Sequence, residues 1–196
     1  MIIVDVETSG TNPDFHSLLS IGAIDFDNPK NTFHIDCSAF EGAHIDTDAL
    51  KINGFTPERV FDSSLKTDKE ALLLFMEWLK TVNEHTIGGQ NPFFDVSFLL
   101  KTSERYHLNL SLAHRIIDLH SIVYYDMIKK GITPPQANGR TDLNSDKIMN
   151  YVGLPAEPKP HIALNGAKWE AEAFSRLLYG KVLFEEFKNN PIPWKN

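Results

Sequence analysis

The ten residues Met1-Ile2-Ile3-Val4-Asp5-Val6-Glu7-Thr8-Ser9-Gly10 constrain this chain more than any other stretch. Their β-branched content and the Ser-Gly stop predict a short, mostly buried strand ending at Thr8. Side chains alternate along a strand, so Asp5 and Glu7 project from one face. Two acids side by side at the end of a buried strand repel each other unless something positive stands between them. A divalent cation such as Mg²⁺ or Mn²⁺ prefers such oxygen ligands. The alternative is that both acids mark the exposed face or end of an edge strand, and this stretch alone leaves that open.

Composition narrows the partners. The net charge of −7 over 196 residues gives no global basic field of the kind that holds long nucleic acid non-specifically. Any nucleic-acid contact has to be local, through a metal, a few cations or stacking aromatics. Cys37 is the only cysteine, which excludes an internal disulfide and a cysteine-cluster zinc site. No apolar run has the length of a membrane span, and a strand starting at Met1 leaves no signal peptide, so the expected location is cytoplasmic. The length suits one domain over residues 1–196.

Along the chain, Ser17–Phe26 and Asn31–Cys37 read as strands joined by the Asp27-Asn28-Pro29-Lys30 turn, an antiparallel meander with the first strand. Asp48–Ile52 suits a short helix. Ser64–Val82 reads as an amphipathic helix carrying Leu65, Leu72, Phe75, Met76 and Leu79. A glycine-rich strand end over Thr86–Gln90 leads into a helix that Asn91 caps and Pro92 begins, running to about Tyr106. Arg115–Leu119 reads as a strand before a helix to Lys130, and Gly131–Arg140 as a loop. A helix capped by Thr141 or Asp142 stops at Gly153, and the last long helix follows His161. Strands first, then strands alternating with helices, predict an α/β domain with a mixed sheet flanked by helices.

Asp95 interrupts the apolar run Phe93-Phe94-Asp95-Val96-Ser97-Phe98-Leu99-Leu100. An acid in a helix's first turn gains from the macrodipole, which accounts for it without function. Its neighbours Phe98 and Leu99 read as core-facing, however, and a buried acid wants a partner or a metal. His161 follows the stiff Pro158-Lys159-Pro160 segment and precedes a helix, a placement suited to a general base delivered by a loop.

Asp5-x-Glu7-Thr8-x-Gly10, then Asn91-x-x-Phe94-Asp95, then His161 before a helix, resembles the DEDD exonucleases of the ribonuclease-H-like fold. The histidine places the resemblance with the subgroup of ribonuclease T, oligoribonuclease and proofreading exonucleases. Phe40–Ala43 and Ala49–Gly54 are also similar to ribonuclease T. The resemblance implies a metal-dependent 3′–5′ exonuclease, an exoribonuclease by preference, that releases nucleoside 5′-monophosphates from short or single-stranded RNA or DNA. It implies two Mg²⁺ or Mn²⁺ ions held by Asp5, Glu7 and Asp95, and His161 activating water. Thr8, Ser9 and Gly10 match the turn that receives the terminal nucleotide, their small side chains letting backbone N–H groups approach the sugar. Asn91 and Phe94 match its substrate-binding motif. Phe15, Phe93 and Phe94 flank this site as stacking surfaces or, equally, as core.

One position departs from the pattern. The family places an aspartate five residues after the histidine, where this chain has Gly166. The second cation is then held less firmly, and an aspartate restored at 166 is expected to strengthen it. Glu170, one helical turn on, is the natural substitute by reach, or else an exposed bystander. Glu172 is expected to pair with Arg176 instead. The same gap supports a second reading, a catalytically degenerate module that binds nucleic acid or a protein without cleavage. The oligomeric state stays open, a homodimer included.

Overall fold

The computed structural model describes residues 1–195. Strands β1 (Ile2–Thr8), β2 (Leu18–Asp25) and β3 (Thr32–Ser38) form the expected antiparallel meander. Helices α1 (Thr47–Asn53) and α2 (Pro57–Val60) follow, then a two-residue strand β4 (Lys66–Thr67) and helix α3 (Asp68–Leu79). Next come β5 (Ile87–Gly89), α4 (Phe93–Arg105), β6 (Ile116–Asp118) and α5 (Leu119–Lys129). A small hairpin, β7 (Gln136–Ala137) with β8 (Arg140–Thr141), leads to α6 (Ser145–Tyr151) and the long α7 (Ala163–Tyr179). The sheet order is β4-β3-β2-β1-β5-β6, with β5 and β6 joining β1 in parallel, so the sheet is mixed as expected.

The period-two pattern of β1 sorts the interior. Ile2, Val4 and Val6 point to the core shared with Leu72 and Phe75 of α3 and with Phe98 of α4. Ile3 points the other way, to the core beneath α7, with Ala167, Ala171 and Phe174. Asp5 and Glu7 therefore face α7. A shift of register between Glu7 and Thr8 marks a bulge where strand β1 leaves the sheet.

Several boundaries differ from the sequence reading for local reasons. Helix α3 begins at Asp68, because Thr67 and Glu70 form a capping box there, and Leu65 lies outside it. Asn91 is no side-chain cap: it sits at φ 57, its N–H donates to Asp118 Oδ1 at 3.1 Å, and Pro92 occupies the cap position of α4. Helix α6 is capped by Asn144, whose side chain accepts from Lys147 N–H; Thr141 is in β8 and Asp142 precedes Leu143. No helix among the described residues is long and apolar enough to cross a membrane.

Candidate active site

Two glycines decide how closely α7 approaches β1. Gly22 pairs with Asp5 across the sheet, and a Cβ there would stand 2.1 Å from the Ala163 carbonyl carbon. Its absence lets the first turn of α7 lie directly on the sheet beside Asp5. Gly166 occupies that same turn, and a Cβ on it would stand 2.4 Å from Asp5 Oδ2. The aspartate missing at 166 is thus more than a lost ligand, because Asp5 leans into the space its side chain would take. The backbone at 166 has no positive φ to forbid a side chain. An aspartate restored there requires the end of the Asp5 side chain to shift.

Asp95 lies in the first turn of α4 and is buried, as its apolar neighbours foretold. Its Oδ1 accepts the Val6 N–H at 2.9 Å, which stitches the helix to β1 between Asp5 and Glu7. Glu170 also faces inward, 6% exposed, so it is no surface bystander. Its Oε2 has no hydrogen-bond partner and lies 3.2 Å from where a Cβ on Gly89 would stand. A buried carboxylate oxygen without a donor calls for a proton or a cation. Glu172 turns the other way and pairs with Arg176 at 2.7 Å, as expected.

His161 is anchored by its own N–H, which donates to Ile52 O at 3.0 Å. Burial and the nearby charge of Lys159 hold its imidazole below the ordinary range, which keeps it neutral and able to accept a proton at neutral pH. Four residues ahead of it the loop supplies an acid that motif reading passed over. Glu157 Oε2 lies 3.8 Å from His161 Nδ1, and its side chain is 10% exposed. The only sequence signal for it is a lone acid ahead of the Pro158-Lys159-Pro160 segment.

Asp5, Glu7, Asp95, Glu157, His161 and Glu170 line one cavity of about 230 Å³, together with Asn91, Phe94 and Gly166. Thr8, Ser9 and Gly10 lie beside it rather than in its lining. They are buried, and Ser9 N–H already donates to Ser17 O at 2.9 Å while His16 covers Gly10. The other exposed aromatics fall outside this lining as well: Phe93 is 71% exposed, and Phe15 stacks on His44 with ring centres 5.4 Å apart. Phe94 lines the cavity and packs on Phe98 with ring centres 4.9 Å apart.

The carboxyls feel burial first and one another second. Burial lifts Glu7 to about 8, with Glu157, Asp95 and Asp36 adding to it. Burial likewise lifts Asp95 to about 8 against the opposing Val6 N–H, and Glu157 to about 7. Asp5 and Glu170 are raised too, again by burial and then by neighbouring acids. Among the described residues, no three His, Cys, Asp or Glu side chains are already gathered around one point. Enclosing an ion therefore requires these carboxylates to turn. The donor set of hard oxygens, the unpartnered Glu170 Oε2 and the space held at Gly166 fit a divalent cation such as Mg²⁺ or Mn²⁺.

A raised carboxyl pKa favours the folded state at low pH and is lost as pH climbs through the folded value. In chelator, the thermal midpoint is therefore expected to fall as pH rises from about 5 to about 8, the window set by Glu157 near 7 and by Glu7 and Asp95 near 8. His161, depressed, opposes this only below about 6.5. Saturating Mn²⁺ should flatten the profile. A chelated protein whose melting temperature does not change across that range would contradict the charge crowding.

The exonuclease family model named for ribonuclease T matches residues 2–174. Ribonuclease T of Shewanella baltica is 28% identical over 191 residues, covering 90% of this chain and 80% of its own. Ribonuclease T of Vibrio campbellii is 32% identical over a shorter 120 residues, 55% of this chain and 56% of its own. Among solved structures, the nuclease domain of 3′hExo bound to rAMP superposes with TM-score 0.67 at 16% identity, covering 92% of both chains. E. coli exonuclease I in complex with a dA16 oligonucleotide gives 0.69 at 21% identity, with 92% of this chain and 40% of the larger protein covered. The structural likenesses establish the fold, and the family match spans nearly the whole of it. The chain belongs to the ribonuclease T exonuclease family and is a 3′–5′ exonuclease of the ribonuclease-H-like fold.

Proposed function

We propose that this enzyme shortens single-stranded nucleic acid, RNA in preference to DNA, from the 3′ end and releases nucleoside 5′-monophosphates. The observation that carries the proposal is the meeting of Asp5, Glu7, Asp95, Glu170 and His161 on one cavity from four separate parts of the chain. The ribonuclease T names of the relatives support RNA, and the net charge of −7 suits short ends gripped at one point.

Asp5, Glu7 and Asp95 would hold the cations, with Glu170 supporting them as ligand or through a water. Two divalent ions, when bound, supply charge for the attacking and leaving oxygens and acidify a water. His161, neutral because of its burial, takes the proton from the water that attacks phosphorus. The P–O3′ bond breaks and the departing 3′ oxygen takes a proton from solvent. Asn91 and Phe94 position the terminal nucleotide in the cavity, Thr8 to Gly10 brace the strand end behind Glu7, and exposed Phe93 and Phe15 offer ring faces to upstream bases.

A 5′-labelled RNA or DNA oligonucleotide with Mn²⁺ or Mg²⁺ should give a ladder shortening from its 3′ end, faster for RNA. Rate should rise with pH and level off below about 6.5, because His161 is depressed from its ordinary value. His161→Ala should cost on the order of 10²–10⁴ in turnover while leaving Mn²⁺ affinity unchanged. The specific observation favouring the degenerate reading is Gly166. Binding of the oligonucleotide without any shortening under either ion would decide for it.

A further inference from the structure

Relative to its family's pattern this chain lacks one carboxylate, at Gly166, and it carries an unassigned one at Glu157. The two belong to the same cavity. Glu170 answers the deficit on one side only. It lies deep, over the end of β5 beside Gly89. The opposite flank, where Glu7 and His161 stand, has no fourth acid from α7.

Glu157 stands on that flank. Its side chain lines the cavity with Asp5, Glu7, Asp95 and Glu170 as well as approaching the imidazole of His161. The 3.8 Å gap to His161 Nδ1 is too long for a hydrogen bond, so His161 does not account for its burial. Its remaining contact, from Ile162 N–H to Oε1 at 3.5 Å, is also marginal. Glu157, with a side chain 10% exposed and no close donor, shares its cavity with the unpartnered Glu170 Oε2, and such a gathering of carboxylates is a place where positive charge belongs.

The loop that carries Glu157 is held at both ends. Trp169 Nε1 donates to Pro155 O at 3.0 Å on one side. On the other, His161 N–H is fixed to Ile52 O, and Pro160 packs against Gly54, where a Cβ would stand 2.6 Å from the proline ring. Glu157 is thus delivered by a braced segment rather than by a free strap. Lys159 and Asp146 are the other charges facing the loop.

We infer that Glu157 is a cation ligand on the Glu7–His161 flank and replaces, from the loop, the carboxylate that α7 lacks at Gly166. The inference rests on the metal-dependent reading above. It also explains how Asp5 can lean on Gly166 without leaving the site a charge short.

The test is Mn²⁺ binding followed by calorimetry and by the electron spin resonance of free Mn²⁺, on the full chain without substrate. Wild type should take up two ions. Glu157→Gln should weaken one of them at least tenfold, Glu157→Asp less, and His161→Ala neither. An apo melting temperature for Glu157→Gln equal to or above wild type shows that the variant is folded. Wild-type Mn²⁺ binding in folded Glu157→Gln would overturn the inference and leave the metal reading intact. Failure of wild type to take up Mn²⁺ would overturn the metal reading itself, and this inference with it.

Discussion

Asp5→Asn should lower exonuclease turnover by roughly three orders of magnitude, about 4 kcal/mol of transition-state stabilisation, without unfolding the protein. Asp5 is held at the centre of the site, between Gly22 on the neighbouring strand and Gly166 on α7. Burial first, then Glu170, Asp95, Glu7 and Glu157, oppose its ionisation. An amide keeps one oxygen in place but removes the charge on which the proposed pair of divalent ions depends. For the same reason the apo variant should melt higher than apo wild type above neutral pH, since one of five crowded acids is gone. The informative measurement pairs a single-turnover assay with a melting curve in chelator. Wild-type-like turnover would remove Asp5 from the metal site, and a lower apo melting temperature would refute the crowding.

The largest stability effect is expected away from the cavity, at Arg176. Arg176 and Glu172 are both fully buried and lie 2.7 Å apart on α7. The guanidinium also donates to Val152 O at 3.0 Å and to Gly153 O and Phe187 O at 3.2 Å, while Glu172 Oε2 accepts from Leu183 and Phe184 N–H. One pair thus ties the end of α6, the body of α7 and the segment after it. Arg176→Ala leaves a buried carboxylate without its cation and three carbonyls without a donor, at a cost of about 3–5 kcal/mol. At roughly 2–4 °C per kcal/mol for a chain of this size, the midpoint should fall by about 10 °C. Urea unfolding monitored by tryptophan fluorescence measures it. Arg176→Ala combined with Glu172→Gln should recover part of the loss, because the stranded charge is removed. A single variant within about 1 kcal/mol of wild type would show that water reaches the pair and that it carries little of the fold.

Residue pattern alone was sufficient for the parts of this protein governed by short-range rules. The alternation in Met1–Gly10 placed Asp5 and Glu7 on one face, the apolar run around Asp95 turned that acid inward, and spacing gave Glu172 to Arg176. Each follows from the period of a strand or helix, which is a property of neighbours in sequence. Helix starts were less legible. Asn91 and Asp142 have the chemistry of caps, yet the backbone took Pro92 and Asn144, because a cap depends on where the preceding segment leaves the chain.

What only the tertiary structure decided is the closeness of α7 to β1 and its consequences. Gly166 read as a missing ligand, and three-dimensional packing makes it also the surface on which Asp5 rests. Glu170 read as either ligand or bystander, and its burial with an unpartnered oxygen settles which way it faces. Glu157 carried no motif at all, since the braced loop that brings it to Glu7 is anchored by Ile52 and Trp169, far from it in one direction and beyond His161 in the other. Carboxylates repel over several ångströms of low-dielectric interior whatever their separation along the chain. Which acids share a cavity is therefore set by the approach of helix to sheet, and no local pattern encodes that distance.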